Sequence, residues 1–116
     1  MTITTESFTY WADSRDRQAA VALLLWLGKS IPTVKAWTDE PGQVGIDVEQ
    51  LAYVSGAWSG GERRLTAVAL SLLGHEPCNL SDVFGGLGGQ HLKAVVQAIV
   101  HAAGIGPTNG PLGDLG

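Results

Sequence analysis

Apolar residues recur through most of this chain at intervals of three and four, the spacing that lays one face of an α-helix on a core. The pattern is clearest late in the chain. Leu92, Val95, Val96, Ile99, Ala102 and Ala103 share one side of a helix, Gln90, Lys93, Gln97 and His101 share the other, and Gly104 ends it. A second amphipathic helix begins after Ser59, with Leu65, Val68, Ala69, Leu72 and Leu73 inward, Arg63, Arg64, Ala67 and Ser71 turned away, and Gly74 as its stop. The first helix is of another kind. Capped by Asp13 or Ser14, with Asp13 and Asp16 at the positive end of its dipole, it runs to Leu27 and ends at Gly28. From Ala19 onward it is apolar on every side, which makes it either the central helix of the fold or a helix partly buried in a partner.

Shorter elements fill the gaps. Val48, Leu51 and Val54 give a brief helix its apolar face, Asp47 with Gln50 three residues on has capping-box spacing, and Ser55-Gly56 closes it. The segment Ile31 to Trp37 reads as extended, because Pro32 turns Ile31 away from helix and the residues after it alternate. Pro41-Gly42 and Gly45 mark a turn-rich connection. The first dozen residues, with Ile3, Phe8 and Tyr10 among Thr and Ser, suit a short edge strand or an arm packed on the domain. After the break at His75-Glu76-Pro77, Asn79 or Ser81 caps a short helix through Phe84, and Gly85 to Gly89 reads as a hinge. The expected fold is mainly α: a small single-domain bundle of four or five helices over residues 1–104, with minor β structure in the N-terminal third. A flexible Gly/Pro-rich tail is expected over 105–116.

Composition narrows the function. Charged residues make up only 16% of the chain against roughly 25% in ordinary soluble domains, which leaves more surface suited to a protein partner or to self-association. The net charge is -4, and Asp39, Glu40, Asp47 and Glu49 crowd a segment without Lys or Arg, so binding to a nucleic-acid backbone is disfavoured. The longest apolar run, Ala19 to Leu27, is far shorter than the roughly 20 residues a spanning helix needs, so no membrane segment is expected. The N-terminus lacks the basic start and apolar core of a secretory signal, and the single Cys78 cannot form an internal disulfide; both fit a cytoplasmic protein.

One stretch looks like chemistry. Trp58-Ser59-Gly60-Gly61-Glu62-Arg63-Arg64 runs from a glycine turn into a helix, and its Ser-Gly-Gly-Glu core resembles the signature motif of ABC-type ATPases, where serine and glycine amides at a helix start contact a nucleotide γ-phosphate. Such ATPases also need a phosphate loop. The nearest match, Gly28-Lys29-Ser30, has Leu23 where the first glycine belongs and follows a helix instead of a strand. Ser59 and Glu62 also have capping-box spacing, and Glu62 would repel an anion. A structural cap is the better reading, with Arg63 and Arg64 beside it as a solvated face or as contacts to an acidic partner.

Other constellations are incomplete. His91 and His101 stand ten residues apart on one helix, about 15 Å along its axis, and His75 with Cys78 supplies only two ligands, so no metal site is expected. Nothing marks Cys78 as an activated nucleophile, and no His or Lys adjoins the acidic turn to tune a general acid or base. No cofactor is implied. Of the four tryptophans, Trp26 falls among core positions, whereas Trp37 and Trp58 border loops, where an exposed ring would anchor an interface.

The C-terminal half, from Ser59-Gly-Gly-Glu-Arg-Arg-Leu65 through Asn79-Leu-Ser-Asp-Val-Phe84 to the Leu92–Gly104 helix, resembles short uncharacterised helical proteins of actinobacteria and their phages. The resemblance implies a helical fold and a phage or host accessory setting, and brings no activity. The expected function is a noncatalytic protein-interaction or accessory module, using Trp37, Trp58, Ser59, Gly60, Gly61, Arg63 and Arg64 as its binding residues. Two alternatives remain: a nucleotide or anion binder at the Ser59–Glu62 helix start, and a helix-turn-helix DNA-binding regulator built from Asp47–Val54 and Glu62–Leu73 with Arg63 and Arg64 near the start of the recognition helix.

Overall fold

A computed structural model describes residues 3–104; the tail expected at 105–116 lies outside them. Among the described residues there are five α-helices, a 3-10 turn and one antiparallel hairpin, so the chain is mainly helical as the periodicity predicts. In chain order these are the 3-10 turn Thr5–Phe8, α1 Arg15–Leu27, β1 Thr33–Lys35, β2 Val44–Ile46, α2 Val48–Ser55, α3 Gly60–Leu72, α4 Leu80–Gly86 and α5 Gly89–Ala102.

The helices start and stop where local chemistry says they should. Ser14, Asp47, Ser59 and Asn79 each accept a backbone N–H bond at the head of α1, α2, α3 and α4, each cap stabilising its helix by about 1 kcal/mol. Gly28 closes α1 in the left-handed region at φ 80°, a conformation that costs a side chain. The Asp47 and Gln50 pair makes only half of its box: the Gln50 amide donates to Asp47 Oδ1. The expected hinge is also shorter, because Gly85 and Gly86 end α4 and Gly89 begins α5, leaving Leu87 and Gly88 as the link.

The core is organised around α1, which packs most extensively on α3 and α5. Ala19, Ala20, Val21, Leu23 and Leu24 are buried along it, joined by Leu51, Leu65, Val68, Val83 and Val95 from the other helices. Helix α3 is covered on more sides than its pattern predicts. Thr66 and Leu70 are buried with Leu65, Val68 and Ala69 because α1, α2, α4 and α5 all contact it, and Thr66 satisfies its hydroxyl by donating to the Glu62 carbonyl at 2.8 Å. Leu72 and Leu73, assigned to the inner face, are only partly buried at its end.

The N-terminal residues form a packed arm, not an edge strand. Thr5–Phe8 turns as a 3-10 helix and sinks Phe8 completely into the core. Gln43 ties this arm to the hairpin, its Nε2 donating to the Glu6 carbonyl at 2.7 Å and its Oε1 accepting from the Tyr10 amide at 3.2 Å. The extended segment predicted over 31–37 contains β1, whereas β2 falls in what reads as a turn-rich stretch because of Gly45. Trp11 explains that glycine: its indole approaches the Gly45 backbone so closely that a Cβ would overlap the ring. Arg17 packs on the same indole, its guanidinium carbon 4.7 Å from the ring centroid and Nη1 donating to the Trp11 carbonyl at 2.8 Å.

Gly45→Ala should therefore push Trp11 out of place and cost about 1–3 kcal/mol in urea denaturation. Gly61→Ala, where an added Cβ meets nothing within 4 Å, should be neutral or stabilise α3 by up to about 1 kcal/mol.

Candidate functional site

The glycine segment at the head of α3 folds as a complete capping box. The Glu62 amide donates to Ser59 Oγ at 3.3 Å, and the Ser59 amide donates to Glu62 Oε1 at 3.0 Å. The fold also brings in Lys29, from the failed phosphate loop: just beyond the end of α1, its ammonium sits 3.2 Å from Glu62 Oε2 and 5.9 Å from the Trp58 ring centroid. The two fragments that resemble nucleotide-binding motifs thus meet in space and satisfy each other. The bond from the Ser59 amide holds the Glu62 carboxyl below its usual value; partial burial opposes this, while the Ser59 hydroxyl and Lys29 reinforce it.

The binding residues predicted from sequence differ in how far they reach solvent. Ser59 is exposed and Gly60 and Gly61 half-buried in the first turn of α3. Trp58 is half-buried against the core under Lys29, so it is not the exposed anchor its loop position suggests. Arg63 is exposed, but Arg64, expected to face solvent, lies across α4: its guanidinium occupies the space a side chain would need at Gly86, and its Nε is 3.6 Å from Asp82 Oδ2. Trp37 alone is fully exposed, on the hairpin far along the chain from the capping box.

The larger feature lies between α1 and α5. These helices run antiparallel: His101, near the end of α5, meets Gln18 near the start of α1 at 2.8 Å, while at the opposite end His91 meets Trp26 edge-on at a centroid distance of 5.3 Å. Between them, with Phe8 of the N-terminal arm among its lining residues, is an open groove of about 980 Å³. Ala22, Leu23, Trp26, Leu92 and Val96 supply its apolar wall, with Gln18, Lys93, Gln97 and His101 as polar groups. Trp26, assigned to the core by its place in an apolar run, is in fact 49% exposed here. Leu92 and Val96, assigned to the inner face of α5, are half-buried and line the same groove.

Sequence periodicity misses this site because it treats every apolar position as core. The available signal is the all-round apolar character of α1, which has one face more than α3 and its neighbours cover. No protein-family model, curated protein or solved structure matches the chain. Among the described residues, no three His, Cys, Asp or Glu side chains are placed to share a metal ion, and no helix is long and apolar enough to cross a membrane.

Replacing Ser59 with Ala should cost about 1 kcal/mol. Because the folded carboxyl of Glu62 titrates below its unfolded value, its charge stabilises the fold above the ordinary carboxylate range, and that contribution disappears as pH falls through the lowered folded value. The stability difference between wild type and Glu62→Gln in denaturant titrations should accordingly be full at neutral pH and vanish in acid; a difference independent of pH would refute a stabilising charge on the Glu62 cap.

Proposed function

We propose that this protein is a noncatalytic interaction module that receives a protein partner in the groove between α1 and α5. The observation that carries this is Trp26, a large aromatic held half-exposed beside Ala22, Leu92 and Val96 on the helix that is otherwise the core of the fold. Tryptophan in an apolar depression is the side chain most enriched among residues that dominate binding energy. The groove's size lies at the upper end of the roughly 300–1,000 Å³ of ligand pockets, and its open shape suits a segment of chain. With the resemblance in the C-terminal half, this describes an accessory protein acting in the cytoplasm of an actinobacterium or for its phage.

The capping box gives the anion-binding alternative less support, since Glu62 already accepts from the Ser59 amide and neutralises Lys29. The helix-turn-helix alternative loses Arg64, which is engaged by Asp82 and packed on Gly86.

Ala22 is exposed in the groove, so Ala22→Arg should obstruct it with a long charged side chain while leaving stability within about 0.5 kcal/mol. Captures from actinobacterial lysate with wild type and variant should share background proteins and differ in the loss of a specific partner from the variant. Identical captures would defeat the reading.

A further inference from the structure

The groove selects its occupant by backbone chemistry and by charge. Resting on the interaction reading above, we propose that it takes an amphipathic helix of about four turns whose apolar stripe is flanked by acidic residues.

The walls are helices of 13 and 14 residues lying antiparallel, so the trough between them runs roughly 20 Å at 1.5 Å per residue. An extended peptide laid there would press its unpaired N–H and C=O groups against Ala22, Leu92 and Val96, which offer no hydrogen bonds. A helix satisfies its own backbone and presents only side chains, and its ridges pack between two helices as α1 and α5 pack on each other. The segment that matches the trough is therefore about 13 residues long, with apolar residues at three- and four-residue spacing.

Charge sets the flanks. The protein carries 11 acidic residues and a net charge of -4, yet no carboxylate lines the groove, whose titratable groups are Lys93 and His101, both exposed. Arg15 adds a second fully cationic side chain, beside Lys93, at the His101 end, its Nε 3.6 Å from where a Cβ on Gly104 would lie. The rim of this apolar trough is thus basic on an otherwise acidic molecule, and it complements a partner with Asp or Glu beside its apolar stripe. The same rim argues against a second copy of this chain. A symmetric pairing through the groove would bring the Lys93 and Arg15 charges of one copy toward those of the other.

Two fluorescein-labelled 13-residue peptides with identical leucine stripes, one flanked by Glu and one by Lys, test this against the full chain by fluorescence polarisation. At low salt the Glu-flanked peptide should bind about fivefold more tightly, and the gap should narrow in roughly 0.5 M salt. Combining Lys93→Glu with His101→Glu should reverse the preference, Ala22→Arg should abolish binding of both peptides, and amide shifts on binding should map to α1 and α5. Equal affinity for the two peptides, or preference for the Lys-flanked one, overturns the proposal. So does a dimer in sedimentation that Ala22→Arg dissociates, which would assign the groove to a second copy. If both peptides fail while lysate capture still depends on Ala22, the acidic-helix assignment falls and the interaction module stands; if capture is also unaffected, both fall.

Discussion

The fold depends on burying the first helix. Helix α1 carries Ala19, Ala20, Val21, Leu23 and Leu24 at 2% exposure or less, and each large side chain removed from water contributes about 1.5–3 kcal/mol before conformational entropy is charged against it. Its two buried alanines, Ala19 and Ala20, leave room for other helices to approach closely, and α3 and α5 occupy its main flanks. Everything else is arranged to hold that packing. Lys29 fastens the end of α1 to the start of α3, His101 and Gln18 join α5 to its beginning, and Phe8 plugs the core from the N-terminal arm.

The same helix gives rise to the candidate site. Two neighbouring helices and the N-terminal arm do not cover the full circumference of a helix that is apolar all round from Ala19 onward. The uncovered part, Ala22 and Trp26, becomes one wall of the groove, and Leu92 and Val96 of α5 become the other. Core and candidate site therefore draw on one sequence feature, since the hydrophobicity that drives α1 into the core also leaves part of its apolar surface uncovered. The low charge content of the chain is consistent with that division.

The capping box shows how a local motif is decided by its surroundings. Ser59, Gly60 and Gly61 resemble an anion-binding turn as letters, but the fourth residue, Glu62, turns its carboxylate back to the Ser59 amide and toward Lys29. A helix start that holds a carboxylate against its own first turn, with the Ser59 and Glu62 amides already partnered, repels a phosphate. Its role is to fix the entry of α3 against the exit of α1.

Most of the architecture was legible in the sequence by itself. Helix boundaries follow caps and stop signals that act within four residues, so Ser14, Gly28, Ser59 and Asn79 could be read one at a time, as could the amphipathic faces of α3 and α5 in outline. Tertiary structure alone decided what depends on distant partners. Gly45 pairs with Val34 in a strand where Trp11 leaves no room for a side chain, Arg64 lies half-buried across α4 because Gly86 makes room, Trp58 is half-buried against the core beneath Lys29, and Trp26 is half exposed on the groove. Periodicity records which residues avoid water, but whether a given apolar face meets the core or remains for a partner is settled only by how many elements the chain has to cover it.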